Sequence, residues 1–189
     1  MKALGVLGGP RKGRTTDQMI DAVLKGLSEN GAETEKVHIY DYDIKPCTGC
    51  CTCEKLGKCV INDDSRIILE KMDAADVIVW GSPVYWSNVT SETKKFFDRS
   101  IEFFEMTKMG PKRTKDTPKN VVLVTSCGAP YPLSHIMGIT PGALRAMKVF
   151  FKQTKAKIHT IYVAGMMSAA TSQPPQKSLD KAYKLGKSL

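Results

Sequence analysis

The chain has 189 residues, 42% of them hydrophobic, which suits one domain (1–189) with a buried core, and no Gly/Ser/Pro linker or internal repeat divides it. No apolar run approaches the roughly 20 residues that span a bilayer, and the short run Met1–Leu7 ends in a glycine turn without a signal-peptide cleavage site, so the expectation is a cytoplasmic protein with no membrane partner. The formal charge of +9 is spread along the chain without a recognition motif, which predicts a solvated basic surface rather than nucleic-acid binding.

Ala3–Leu7 is a compact apolar run, read as the first strand. It opens into Gly8-Gly9-Pro10-Arg11-Lys12-Gly13-Arg14-Thr15-Thr16, which leads into a helix. A glycine turn lets backbone N–H groups approach an anion, the helix N-terminus offers unpaired donors, and hydroxyls and arginines add bonds and charge. Gly9, Pro10, Arg11, Gly13, Arg14, Thr15 and Thr16 are therefore candidate phosphate-binding residues. The nucleoside-triphosphate loop G-x4-G-K-S/T is rejected, because Arg14 stands where its phosphate-contacting lysine belongs. The third strand also ends in Trp80-Gly81, where that class would place a magnesium-holding aspartate.

The helix after Thr16 carries Met19, Ile20, Val23, Leu24 and Leu27 on one face, Gly31 ends it, and Thr34–Tyr40 reads as the second strand. Next comes a cysteine-rich loop at 45–64, which holds five of the six cysteines: Cys47, Cys50, Cys51, Cys53 and Cys59. Clustering of this kind points to metal or redox chemistry rather than a disulfide framework. Cys47-x2-Cys50-x2-Cys53-x5-Cys59 suits a 4Fe–4S cluster, zinc or a single iron, and free thiols are the plain alternative. Cys51, beside Cys50, leaves the ligand assignment open by one position.

Asp63-Asp64-Ser65 caps a short helix with Ile67, Ile68 and Met72, and Val77–Trp80 is the third strand. Its end, Gly81-Ser82-Pro83-Val84-Tyr85-Trp86-Ser87-Asn88, joins a stiff turn to two flat aromatic faces. Pro83, Val84, Tyr85, Trp86 and Ser87 are candidate ring-binding residues. A helix is predicted over Ser91–Phe104, with Phe96, Phe97, Ile101 and Phe104 inward. The fourth strand, Val121–Val124, leads to Ser126, Cys127 and Gly128, which complete the candidate pocket with Cys127 as a packing residue. A helix from Pro141, a fifth strand at Ile158–Ala164, a loop at Thr171–Pro175 and a helix at Leu179–Leu185 finish the chain. His38, His135 and His159 have no partner at metal spacing and read as structural or surface residues. No Ser/His/Asp set or carboxylate pair marks a catalytic side chain, so the chemistry falls to a cofactor. Strands alternating with helices predict an α/β doubly wound parallel sheet with ligands at the C-terminal strand edge.

The phosphate loop, the Gly81-Ser82-Pro83-Val84-Tyr85-Trp86 run and the five-strand pattern together resemble the NAD(P)H-dependent FMN reductase branch of the flavodoxin-like proteins. The resemblance implies sheet order 2-1-3-4-5, FMN with its phosphate near Arg11–Thr16 and its isoalloxazine near Pro83–Ser87, and a homodimer or homotetramer. Arg14-Thr15-Thr16 departs from the smaller residue and Ser or Asn that the family often carries there. The cysteine loop is similar to that of the iron–sulfur flavoproteins, an archaeal and anaerobic bacterial branch, and implies a 4Fe–4S cluster on Cys47, Cys50, Cys53 and Cys59 close to FMN. The expected function is an FMN-dependent oxidoreductase with NAD(P)H or ferredoxin as electron donor. A cluster-free FMN reductase, a flavodoxin-like electron carrier and a redox- or metal-sensing flavoprotein are the alternatives.

Overall fold

The computed structural model describes residues 1–107, 110–113, 115, 116, 118–167 and 173–189; Thr171 and Ser172 of the loop expected at Thr171–Pro175 lie outside them. Strand β1 (Lys2–Leu7) runs into helix α1 (Thr15–Glu29) and returns as β2 (Glu33–His38). The cysteine loop carries a short helix α2 (Thr52–Leu56), followed by α3 (Ser65–Ala74), β3 (Val77–Pro83) and α4 (Ser91–Arg99). A small antiparallel hairpin, β4 (Glu105–Thr107) and β5 (Gly110–Lys112), precedes β6 (Asn120–Ser126). Helices α5 (Leu133–Ile136) and α6 (Ile139–Phe151), strand β7 (Lys157–Val163) and helix α7 (Gln176–Lys187) complete the order.

The main sheet is parallel in the order β2-β1-β3-β6-β7, which is 2-1-3-4-5 when its five strands are numbered among themselves, the flavodoxin-like arrangement. Successive side chains of a strand face opposite sides of the sheet. Ala3 and Leu7, Val77 and Val79, and Val122 and Val124 thus pack with Met19, Ile20, Val23 and Leu27 of α1. Their neighbours Leu4 and Val6, Ile78 and Trp80, and Val121 and Leu123 pack on the other face with Ile68 and Met72 of α3, Phe96 of α4 and Met147 and Phe151 of α6. Central strands buried on both faces read as continuous apolar runs, which is why Val77–Trp80 and Val121–Val124 were legible. Register aligns the strand ends, with Leu7 opposite Gly81 and His38, and Pro83 opposite Ser126. The loops after β1, β3 and β6 therefore open on one edge.

Two elements differ from the sequence reading. The helix expected over Ser91–Phe104 is α-helical only to Arg99 and tightens into a 3-10 turn at Ser100–Phe103. The Ser100 hydroxyl donates back to the Phe96 carbonyl at 2.6 Å, a local bond that competes with the helix ladder. The changed turn buries Phe103, while Ile101 and Phe104 stay half-buried. The strand expected to reach Tyr40 ends at His38, because residues Ile39–Asp41 form a 3-10 turn that brings the Asp41 carboxylate back to the His38 ring. Among the described residues no helix is long and apolar enough to cross a membrane.

Candidate functional site

Three loops meet in one cleft of about 180 Å³ at the C-terminal edge of the sheet. The loop after β1 contributes Gly9, Pro10, Arg11, Arg14, Thr15 and Thr16; the loop after β3 contributes Pro83, Val84 and Tyr85; the loop after β6 contributes Ser126, Cys127 and Gly128. Hydrogen bonds lock these segments together. Gly8 N–H donates to the Gly81 carbonyl at 2.6 Å, Val84 N–H to the Ser126 carbonyl at 2.8 Å, and the Thr16 and Ser126 hydroxyls pair at 2.8 Å. A Cβ on Gly9 would lie 2.8 Å from Pro83 Cδ, so only glycine lets the first two loops touch this closely.

The lining of the cleft carries positive charge. Arg11 and Arg14 line it, and among the described residues no Asp or Glu does. Arg14 is the N-cap of α1 and makes no side-chain cap bond, so the N–H groups of the first turn keep their donor capacity for a ligand. The loop itself is braced from behind, where the buried Asp17 carboxylate accepts from Gly13 N–H at 2.6 Å and pairs with Lys36 of β2 at 2.8 Å. Partial burial works against the Lys36 charge, but Asp17 and Asp21 outweigh it and hold the pKa above the usual lysine range. His38 Nε2–H donates to the Gly9 carbonyl at 2.7 Å while its ring stacks on Tyr40 at 5.5 Å. At the far side the loop after β7 adds Met166 and Met167, tied in by Met166 N–H to the Cys127 carbonyl at 3.0 Å. Cys127 is buried, its thiol 3.2 Å from the Thr140 hydroxyl, in keeping with a packing role.

Gly13, Trp86 and Ser87 do not line the cleft. Gly13 sits at its hinge with φ 70°, donating to Asp17. Trp86 and Ser87 form a left-handed turn (φ 50° and 57°) that aims the indole fully into solvent beyond Tyr85.

The cysteine loop lies past the end of β2. Left-handed residues at Gly49, Cys51 and Gly57 curl it around α2, which carries Cys53. Cys47, Cys50 and Cys51 are exposed, and Cys53 and Cys59 are half-buried. Burial raises the Cys53 thiol pKa, and Cys59, Cys50 and Cys47 push it the same way. Cys50 is lowered by hydrogen bonds from the Thr52 hydroxyl and backbone. Four sulfurs and no carboxylate form a soft donor set of the kind that suits an iron–sulfur centre. The sulfurs do not close into a coordination set, since among the described residues no three His, Cys, Asp or Glu side chains are arranged to hold a metal ion.

The sequence profile of the NADPH-dependent FMN reductase family matches residues 1–129. The chain belongs to that family. The match spans both the anion loop and the cysteine loop. Within the family the chain resembles the iron–sulfur flavoproteins. A protein of that name from Archaeoglobus fulgidus is 45% identical over 103 residues, covering 54% of this chain and 47% of that protein. Another, from Methanosarcina thermophila, is 43% identical over 101 residues, covering 53% of each chain. The chain spans about half the length of the curated relatives it matches. Among solved structures, the NAD(P)H:quinone oxidoreductase from Methanothermobacter marburgensis shares the fold with TM-score 0.80 at 18% identity, covering 99% of this chain and 98% of that one.

Against this family background, the sequence reading missed His38, Met166 and Met167. His38 reaches the anion loop only because β2 lies beside β1, a pairing no local pattern carries. Met166 and Met167 had a usable signal, since they follow the fifth strand as the other site loops follow theirs.

Proposed function

We propose that the chain binds FMN in the cleft and works as an FMN-dependent oxidoreductase, with a 4Fe–4S cluster on Cys47, Cys50, Cys53 and Cys59. The observation that carries the reading is the convergence of an acid-free, two-arginine loop at an uncapped helix start with the Pro83–Tyr85 turn in one cleft. Arg11, Arg14, Thr15 and Thr16 would hold the phosphate, with Gly13 as the hinge that lets the backbone donors face it. Pro83, Val84 and Tyr85 would support the isoalloxazine, with Trp86 and Ser87 at its rim, and Ser126–Gly128 would close the far side. Bound FMN supplies hydride and single-electron transfer, and the cluster supplies one-electron transfer alone; the side chains bind, orient and exclude water.

The cleft is small for a flavin, and beyond it lies exposed apolar surface at Trp86, Tyr131, Ile136, Met137 and Met167. Such a patch supports self-association into a homodimer or homotetramer that covers the ligand. The basic surface suits an acidic ferredoxin as donor, with NAD(P)H as the other candidate.

Anaerobic purification followed by absorption spectroscopy and flavin, iron and sulfide analysis tests the reading. Stoichiometric FMN with iron and sulfide is expected, and a protein that cannot be loaded with FMN overturns it. A cluster-free FMN reductase is the second reading, favoured by the open arrangement of the four sulfurs; FMN without iron would select it. Stopped-flow mixing with NAD(P)H and with reduced ferredoxin then assigns the donor.

A further inference from the structure

Among the described residues, one ion pair has both side chains fully buried, and it lies at the base of the cysteine loop. Arg99, the last residue of α4, and Asp63 both have fully buried side chains, and they meet through Nη1 to Oδ2 at 2.6 Å and Nη2 to Oδ1 at 3.3 Å. The same guanidinium donates to the Lys45 carbonyl at 2.7 Å, the Ile61 carbonyl at 3.3 Å and the Ser65 hydroxyl at 3.4 Å. Lys45 and Ile61 bracket every cysteine of the loop, so one side chain holds both ends of the excursion. Asp63 adds a second tie by accepting from Lys45 N–H at 2.9 Å.

The clamp also closes on the Cys59 end of the loop. Its bond to the Ile61 carbonyl sets the buried guanidinium two residues from Cys59 in the chain. The Nε–H, equally buried, has no hydrogen-bond partner among the described residues. Its neighbour Cys59 is fixed by its backbone, with N–H donating to Glu102 at 3.1 Å and its carbonyl accepting from Arg66 at 3.3 Å. A buried guanidinium with a spare donor, next to a half-buried thiol in a loop otherwise exposed, is an arrangement that a solvated cysteine loop does not need.

We propose that Arg99 is the positioning residue of the cysteine centre: it clamps the two ends of the loop together and sets a buried positive charge at its Cys59 end, so that the thiolates are presented to an iron–sulfur cluster. This rests on reading Cys47, Cys50, Cys53 and Cys59 as the cluster ligands. Groups just outside a ligand set orient the ligands, and their loss typically weakens metal holding by about 10- to 100-fold.

The test uses the full chain loaded with FMN and reconstituted anaerobically with ferrous iron and sulfide. Arg99→Gln should keep FMN and near-UV circular dichroism but hold iron about tenfold more weakly against a chelator. Arg99→Lys, which keeps the charge without the fork, should recover part of that loss. Asp63→Asn keeps the shape of the pair and serves where Arg99→Gln does not fold; it should weaken iron in the same direction. Hydrogen exchange on FMN-loaded protein without iron separates the clamp from the cluster. Amides between 45 and 62 should exchange at least about tenfold faster in Arg99→Gln, with those of β1 and β3 unchanged. Folded Arg99→Gln with wild-type iron retention and wild-type exchange overturns the proposal, as does Arg99→Lys no better than Arg99→Gln. Wild-type protein that takes up no iron overturns the reading of the loop instead, and the exchange data alone then judge the clamp.

Discussion

At the scale of single residues, the cleft pairs groups with different origins in the chain. Arg11, Arg14, Thr15 and Thr16 come from one continuous stretch, and their residue types alone announce an anion. A charge-assisted hydrogen bond contributes about 1.5–3 kcal/mol, so Arg14→Ala should weaken FMN binding by roughly 10- to 100-fold. Riboflavin, which lacks the phosphate, should bind equally to both proteins. Flavin fluorescence titration measures the two affinities, and equal losses for FMN and riboflavin would count against a phosphate role. His38 belongs to the same site but was invisible as a member of it, because a histidine at a strand end has no local mark of its partner. That partner, the Gly9 carbonyl, lies on the neighbouring strand's loop.

At the scale of elements, what matters is how each one begins and ends. Thr90 is the N-cap of α4: its hydroxyl oxygen accepts from Thr93 N–H and its hydroxyl proton goes to the Gly8 carbonyl, so the cap also pins the anion loop. The opposite end of α4 stops at Arg99, where the guanidinium turns to Asp63. Burial works to raise the Asp63 pKa, but Arg99, the Ser65 hydroxyl and the Lys45 and Ser65 amides outweigh it and hold it at about 2. A carboxylate depressed in the folded state stabilises the fold fully above its unfolded pKa of roughly 3.9 and stops doing so as pH falls through the folded value. Asp63 should therefore contribute about 2.5 kcal/mol that is lost between roughly pH 4 and pH 2. Acid unfolding followed by circular dichroism should show that loss in the wild type and a flatter profile over the same window in Asp63→Asn. The sequence placed Asp63-Asp64-Ser65 at the start of α3, where Asp64 makes no side-chain cap bond and Asp63 instead accepts from Ser65 N–H at 3.0 Å, but it did not show the Asp63 pairing, since Arg99 stands 36 residues further on. The same gap explains the helix expected to run to Phe104. Its apolar spacing continues, while Ser100 and the buried Arg99 end it.

For the molecule as a whole, stability rests on two apolar layers either side of the parallel sheet. The layer under α4 and α6 is aromatic: Trp80 packs against Phe96, Phe97 and Phe151 with ring centroids 5.3, 5.0 and 5.9 Å away. Phe151 is fully buried, so Phe151→Ala should cost about 3–5 kcal/mol in a urea unfolding experiment. A cost below about 1 kcal/mol would mean that the layer repacks. The sequence by itself determined the alternation of strands and helices, the glycine and arginine loop after β1, the aromatic turn and the cysteine spacing. Each of these is written in neighbouring residues, through periodicity and the chemistry of short runs. The tertiary structure alone decided that four strand ends share one cleft, that Trp86 faces out of it, and that His38 and Arg99 serve loops not their own. Those outcomes depend on strand order and helix packing, which join side chains tens of residues apart and leave no trace in any local window.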